Sequence, residues 1–269
     1  MVQYLFPGGK YKAVTFSFDD GTQNDARLAQ LLNRYNLKGT FHLNGKNYFN
    51  KTASELQVVK NCYQGHEIAC HTVHHGFLNV QPGVSVVHEV LEDRKILEQI
   101  AGYPVVGMSY PFGVVSKEVI AAFRACGIVY SRTTQETNGR AIPNDFMRWD
   151  PSAHFLRAQK AIDHFLRLMQ HPWLDVLYLW GHSFELKTEQ DWSGFEKDLT
   201  RIAKNQAVWY ATNIEICRYL NAANQLQFSA NESLCFNPCA TDIWVEVFLE
   251  ENETSKTVLV PGGATVQLK

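Results

Sequence analysis

The 269-residue sequence has no run of 18 apolar residues, so no segment is expected to cross a bilayer as a helix. Neither sign of charge dominates: 25 Lys and Arg stand against 27 Asp and Glu, a net of −2. That mixed balance argues against nucleic acid or an anionic membrane surface as the main partner. The amino end, Met1-Val2-Gln3-Tyr4-Leu5-Phe6-Pro7-Gly8, lacks the basic and apolar regions of a secretory leader. As written, the chain reads as cytoplasmic; a secreted or cell-envelope location requires that a leader has been removed. Internal repeats and low-complexity linkers are absent. The six cysteines form no strong disulfide framework: Cys62, Cys70, Cys126 and Cys217 lie in apolar segments and are expected to stay reduced. Cys235-Phe236-Asn237-Pro238-Cys239 allows a local bridge or a metal, on the weak signal of one CxxxC. The sequons at Asn50, Asn231 and Asn252 fit surface loops.

What the chain does contain is concentrated at strand ends. Ala13-Val14-Thr15-Phe16-Ser17-Phe18 is short, apolar and aromatic-rich, so residues 12–18 read as a buried strand. It ends in Asp19-Asp20-Gly21. Successive strand side chains point to opposite sides, so one carboxylate is expected to reach a metal while the other faces its water. Gly21 permits a sharp turn. Thr22 and Asp25 resemble a capping pair opening a helix whose buried stripe is Leu28, Leu31, Leu32 and Tyr35. Alone, this stretch reads equally well as an Asp-Gly turn with two solvated carboxylates.

Further along, a strand over 65–70 leads into His71-Thr72-Val73-His74-His75. If residues 71–75 form a helical turn, His71 and His75 share a face and their imidazoles converge. His74 has an acceptable spacing as well. Cys70 is a further possible ligand, though a thiol there packs readily as a small hydrophobe. A lone histidine in such a place is more often structural; three within five residues, downstream of paired aspartates, point to a metal. The nitrogen and oxygen donors suit zinc first, with cobalt, nickel, manganese or iron as alternatives. One Asp, two His and a spare carboxylate equip a site to make hydroxide near neutral pH and aim it at a carbonyl.

Phe18-Asp19-Asp20-Gly21 with His71-Thr72-x-x-His75 resembles the NodB-type polysaccharide deacetylases, carbohydrate esterases that remove N- or O-acetyl groups from sugars. The resemblance spans roughly residues 10–215. It implies Asp19 as catalytic base and Asp20, His71 and His75 as metal ligands. The family's third motif is partly present: Ser109-Tyr110-Pro111-Phe112-Gly113 keeps the proline, aromatic residue and glycine but has Ser109 where the family carries arginine. By resemblance the Phe112 backbone N–H helps hold the oxyanion, a main-chain role that survives this change. The absent arginine orients the catalytic aspartate in the family, and Arg148, in Phe146-Met147-Arg148-Trp149-Asp150, is the candidate substitute. Without the resemblance, the stretch is a Pro-Phe-Gly turn.

Leu177-Tyr178-Leu179-Trp180-Gly181-His182 is similar to the fifth motif at Leu177, Leu179 and His182, with Gly181 in place of leucine. His182 is then the general acid, a task suited to a side chain that titrates near neutrality. Glu185 or Asp150 is its expected carboxylate partner; read alone, it is a strand-end histidine satisfied by such a carboxylate. The fourth motif has only Trp149-Asp150, in reversed order, as its nearest stand-in. Tyr110, Pro111, Trp149 and Trp180 are candidate substrate-binding residues, although aromatic side chains are commonly core.

Strand-like runs near 12–18, 39–43, 66–70, 105–109, 127–130, 176–181 and 207–210 alternate with helix-like segments at 23–35, 84–100, 116–125, 155–170 and 192–204. That alternation predicts an α/β fold of parallel strands with outer helices. The resemblance implies a distorted (β/α) barrel of about seven parallel strands, over residues 1–221. The polar stretch 131–145 reads as the longest loop, shaping substrate access. In residues 222–269 strand signals at 226–228, 243–249, 257–260 and 265–268 with Pro-Gly-Gly turns predict a small β extension packed on the barrel, or a carbohydrate-binding extension. The expected activity is a metal-dependent hydrolase removing acetyl groups from an N-acetylated or O-acetylated sugar. A metal-dependent amidase of a non-carbohydrate amide is one alternative. A non-catalytic sugar-binding relative, suggested by Ser109 and by the blurred fourth motif, is the other.

Overall fold

The structure, a computed structural model, describes residues 1–169, 172–249 and 254–269. Its strands are β1 (Val2–Leu5), β2 (Lys12–Asp19), β3 (Gly39–Leu43), β4 (Glu67–Cys70), β5 (Gly107–Ser109), β6 (Tyr130–Arg132), β7 (Ala153–His154), β8 (Asp175–His182), β9 (Val208–Tyr210), β10 (Gln227–Phe228), β11 (Leu234–Phe236), β12 (Ile243–Leu249), β13 (Thr254–Val260) and β14 (Thr265–Gln267). The helices are α1 (Asp25–Arg34), α2 (Ala53–Cys62), α3 (Gly83–Ala101), α4 (Lys117–Ala125), α5 (Gln159–Arg167), α6 (Glu189–Ile202) and α7 (Asn213–Ala223).

Strands β6-β5-β4-β3-β2-β8-β7 run side by side in that order, all parallel, with β9 also on β2. β8 lines β2 from Lys12 to Asp19, whereas β9 pairs with Lys12–Val14 and β3 with Phe16–Asp19. A strand has only two edges, so β9 and β3 divide one of them, and the sheet splits there. At the far end a parallel bridge joins Arg132 to Trp149, just ahead of β7. The sheet thus curls into a distorted (β/α) barrel.

β2 explains why this core can hold a polar centre. All eight of its residues are buried, as expected of a strand covered on both faces. Phe16 and Phe18 turn towards the helices and meet Phe195 of α6 edge-on. The alternate residues Thr15, Ser17 and Asp19 lie on the opposite face, where Thr15 donates to Asn213 and Ser17 accepts from Arg132. A polar column therefore runs up the barrel interior and ends at Asp19.

Several expectations shift. α1 buries Leu28, Leu31 and Leu32, but Thr22 does not cap it: Asn24 holds the N-cap position, and the Thr22 hydroxyl pairs with Ser183. α2, which the strand–helix reading omitted, buries no side chain and is opened by a Thr52–Glu55 capping box. β6 starts at Tyr130, so it extends into the stretch expected to be loop. β12 pairs with β13 and with the amino-terminal β1, while β10, β11 and β14 form a second small sheet. All six thiols are free, so Cys235 and Cys239 are not bridged. Among the described residues, no helix is long and apolar enough to cross a membrane. Asn252 and the last residue of the helix expected over 155–170 lie outside the described residues.

His66, just ahead of β4, ties three elements together. Its Nδ1 accepts from the Gly39 N–H at 3.1 Å, and its Nε2 meets the Ala29 carbonyl at 3.3 Å. Burial pushes its pKa down to about 4, with Lys38 adding to the effect. A histidine that folds neutral contributes stability above its unfolded pKa of about 6.5, lost as pH falls through the folded value. Urea unfolding at stepped pH is therefore expected to show stability falling between pH 6.5 and 4, with this group adding at most about 1.4 kcal/mol per pH unit. His66→Gln should flatten that slope.

Candidate active site

The strand ends collect the polar side chains, as in other α/β barrels. β2 delivers Asp19 as its last residue. Strand alternation would send Asp20 to the opposite side, but Asp20 takes φ 80° and Gly21 φ 65°. This left-handed turn swings the second carboxylate back beside the first. Both then face His71, whose Nε2 lies 3.8 Å from Asp19 Oδ2 and 3.7 Å from Asp20 Oδ1. Glycine is required at position 21 for a second reason: a Cβ there would meet Tyr48 Oη at 2.9 Å and Leu43 Cδ2 at 3.0 Å.

His71 and His75 converge, though not on a helical turn. Residues 71–75 are an irregular loop in which Thr72 (φ 65°) and His75 (φ 59°) are left-handed. Asn44 Nδ2 donates to the carbonyls of His71 and Thr72 at 2.9 and 3.0 Å. Asp93 of α3 accepts from the backbone N–H of Gly45 at 2.6 Å and of His71 at 2.9 Å. These clamps bring the two imidazoles to 4.7 Å and set His75 Nε2 3.6 Å from Asp20 Oδ1. His71 Nδ1 lies 3.0 Å from the Ser109 carbonyl, which leaves Nε2 facing Asp20. His74 turns away to Glu89 at 2.8 Å, and Cys70 is buried against Asp93.

The donor atoms of Asp20, His71 and His75 all lie within 4.8 Å of one another. Burial pushes the His71 pKa down to about 4, so the ring stays neutral as a ligand must be. His71 is 2% exposed, whereas Asp20 and His75 are 27% and 22% exposed, which leaves one side open to water or substrate. Two imidazoles and one carboxylate with an open side fit a divalent ion of the zinc type.

The arginine expected beside Asp19 comes from β6. Ser109 and Arg132 are register partners on adjacent strands, so the cation absent at 109 is supplied one strand over. Arg132 is fully buried and donates to Asp19 Oδ2, to Ser17 Oγ at 3.1 Å and to the Thr133 carbonyl at 2.9 Å. Its guanidinium lies 4.5 Å from the Trp180 ring centroid. Ser109 Oγ donates to the other Asp19 oxygen at 3.1 Å. Burial by itself would raise the Asp19 pKa; Arg132, with His71, His42 and His182, holds it well below the usual carboxylate range. Arg148, the expected substitute, is exposed and lines a separate cavity with Arg140 and Asp145. The sequence reading missed Arg132 because it ended the strand at 130 and assigned 131 onward to loop.

His182, at the end of β8, closes the other side, with Nε2 3.9 Å from Asp20 Oδ2. Its backbone N–H donates to Glu185 Oε2 at 2.9 Å, and its Nδ1 lies 3.4 Å from the same oxygen. His154 of β7, which the sequence did not single out, reaches that oxygen through Nε2 at 2.9 Å. Burial works to lower the His182 pKa, but the Glu185 hydrogen bond and the charges of Asp19 and Asp20 outweigh it and raise the value. Asp150, the other expected partner, instead accepts from Thr133 Oγ1. Gly181 replaces leucine for a steric reason: a Cβ would lie 2.4 Å from Phe155 Cδ1 and 2.8 Å from His154 Nε2.

The aromatic residues expected to bind substrate are core. Tyr110 stacks on Phe123 at 5.1 Å and donates to the Met147 carbonyl at 2.7 Å. Trp149 is fully buried and donates to the Ala141 carbonyl at 2.7 Å. Trp180 underlies Arg132, and Pro111 is buried at the start of its turn. Among the described residues, the Phe112 N–H has no protein acceptor, and its residue is left-handed at φ 58°.

Removing Arg132 strands a buried carboxylate. Arg132→Met is expected to cost about 3–5 kcal/mol in denaturant unfolding. Arg148→Met should change stability by no more than about 0.5 kcal/mol.

A family model described as polysaccharide deacetylase matches residues 8–131. Peptidoglycan-N-acetylglucosamine deacetylase PgdA of Listeria monocytogenes is 28% identical over 110 residues, which are 40% of this chain and 23% of that protein. The chain thus spans about a quarter of the length of that curated relative. A Mycobacterium smegmatis structure assigned to the polysaccharide deacetylases superposes on 81% of this chain and 93% of its own, with TM-score 0.65 and 18% identity. A CE4 family pseudoenzyme from Bacillus anthracis, BA3943, covers 77% of this chain and 66% of its own, with TM-score 0.51 and 14% identity. Residues 8–131, which carry Asp19, Asp20, His71, His75 and Ser109, are thus similar in sequence to the polysaccharide deacetylases, and the fold is the one that solved members of that family share.

Proposed function

We propose that this protein is a metal-dependent hydrolase that removes the acetyl group from an N-acetylated sugar within a glycan. The observation that carries this reading is the grouping of Asp20, His71 and His75 donor atoms within 4.8 Å, with the ion-paired Asp19 at 3.8 Å from His71. Those three residues would hold the ion, and zinc suits the donors best. The chemistry a divalent ion supplies there is Lewis acidity, which polarises an acyl oxygen and lowers the pKa of water from 15.7 to about 7 in the zinc case.

The chain's own residues do the rest. Asp19, kept ionised and oriented by Arg132 and Ser109, takes a proton from the attacking water as its oxygen bonds to the acyl carbon. The Phe112 N–H donates to the developing oxyanion. His182, oriented by Glu185, gives its proton to the sugar nitrogen as the carbon–nitrogen bond breaks, leaving acetate and a free amine. The proton balance closes when Asp19 returns its proton to solvent and His182 regains one.

The non-catalytic alternative rested on the missing arginine at Ser109 and on the poorly represented fourth motif; Arg132 answers the first of these. Two variants test the division of labour. Asp20→Ala is expected to abolish stoichiometric zinc binding in metal analysis. Asp19→Asn should retain zinc while acetate release falls by about 10²–10⁴-fold, the scale of general base catalysis. Near-normal turnover in Asp19→Asn would rule that residue out as the base.

A further inference from the structure

We propose that His154, His182 and Glu185 form a second divalent-cation site, whose ion stops His182 from donating a proton. The site stands apart from the deacetylase reading; only the resulting loss of activity rests on that reading. One ligand atom from each of the three residues lies within 4.8 Å of the others, the same spread as in Asp20, His71 and His75. The donors are again two imidazoles and a carboxylate, a set that zinc and its neighbours accept. Exposure is graded in the same way. His154 is buried while Glu185 and His182 are partly exposed, which leaves one side open.

Orienting His182 does not by itself account for this group. The His182 backbone N–H and Nδ1 already meet Glu185 Oε2, at 2.9 and 3.4 Å. His154 Nε2 comes to the same oxygen at 2.9 Å from the neighbouring strand β7. Gly181 leaves the space for it, since a Cβ there would lie 2.8 Å from that nitrogen. Among the described residues the hydrogen bonds of Glu185 all fall on Oε2, and Oε1 is free. A crowded carboxylate oxygen facing two imidazoles, with its twin unused, is an arrangement that a cation completes. One contact opposes it: the Leu156 N–H lies 3.4 Å from His154 Nδ1. Ligation through Nε2 puts the ring proton on Nδ1 and gives up that long hydrogen bond.

The effect on His182 follows from the imidazole itself. A histidine that acts as an acid carries two protons, one on each ring nitrogen. An ion on Nδ1 takes the lone pair that would hold one of them. Nε2–H is then the only proton left, and giving it up would leave an imidazolate, so none is released near neutral pH. Repulsion from an ion on Asp20, His71 and His75 makes the second ion the weaker of the two. It is expected to be lost on dialysis, so only the first appears in metal analysis of dialysed protein.

The test is calorimetric titration of the metal-free protein with zinc, repeated with cobalt, whose visible absorption reports each ligand set. Acetate release from a β-1,4-linked N-acetylglucosamine oligomer is measured beside it, at one equivalent of zinc and in excess. Wild type is expected to bind two ions, the second at least about tenfold more weakly. His154→Gln should keep the first and weaken the second at least about tenfold further. Glu185→Gln should do the same, and serves if His154→Gln does not fold. In wild type the second ion should lower acetate release on the order of 10²-fold, the scale of one general acid. Excess zinc should cost His154→Gln nothing relative to its own rate at one equivalent. A single ion bound by wild type, or a second ion held as tightly by the variants, overturns the site. A second ion that leaves acetate release unchanged overturns its action on His182. Two bound ions with no acetate release at either zinc level leave the cation site standing and count against the deacetylase reading instead.

Discussion

The buried ion pair between Arg132 and Asp19 is the constraint on which the rest of the site depends. Asp19 is almost fully enclosed at the end of β2, and an unpaired carboxylate there would cost several kcal/mol. Arg132 is enclosed as well, and its remaining donors are satisfied by Ser17 and the Thr133 carbonyl, with Trp180 beneath it. With the cation supplied from β6, the small residue at 109 has room for another task. Its hydroxyl lies between Asp19 Oδ1 at 3.1 Å and His71 Nδ1 at 2.6 Å, and its carbonyl also faces His71 Nδ1, so one residue links the ionised carboxylate to a metal-ligand candidate. Moving the arginine by one strand thus keeps the charge on Asp19 compensated and adds a direct connection between two functional side chains.

Four of the nine left-handed non-glycine residues among those described lie in the same place. Asp20, Thr72, His75 and Phe112 are all left-handed non-glycine residues, and all lie at or beside the site. Each such residue costs on the order of 1 kcal/mol and persists only where its surroundings over-determine it. The surroundings here are rigid: Asn44 and Asp93 grip the backbone of the His71 loop from the β3 end and from α3. On the opposite flank, Glu185 gathers His182 and His154 through one oxygen. Fold likeness at 14–18% identity includes a pseudoenzyme, so it identifies the scaffold, and the chemistry has to be argued from these side chains.

Much of the architecture was readable along the chain. The alternation of apolar strands and amphipathic helices reflects covered parallel strands, and β2, β3, β8 and β12 fall where their residues suggested. The Asp-Asp-Gly and His-x-x-x-His stretches could be recognised because each is local and carries its chemistry in adjacent residues. Their conformations could not. A helical turn over 71–75 and opposed aspartates were the regular-structure expectations; the left-handed residues that replaced them are fixed by tertiary clamps.

Residue type and spacing in the sequence determined which groups can bind a cation, carry a proton or fill a strand. The tertiary structure decided which charges meet. Arg132 and Arg148 are equivalent as residues, but only the one that β-sheet register sets beside Ser109 can reach Asp19. Likewise Trp149 and Phe112 are both aromatic, and packing alone makes the first core and leaves the second in water. Register and burial are sums over contacts distant in the chain, and for that reason no local pattern contains them.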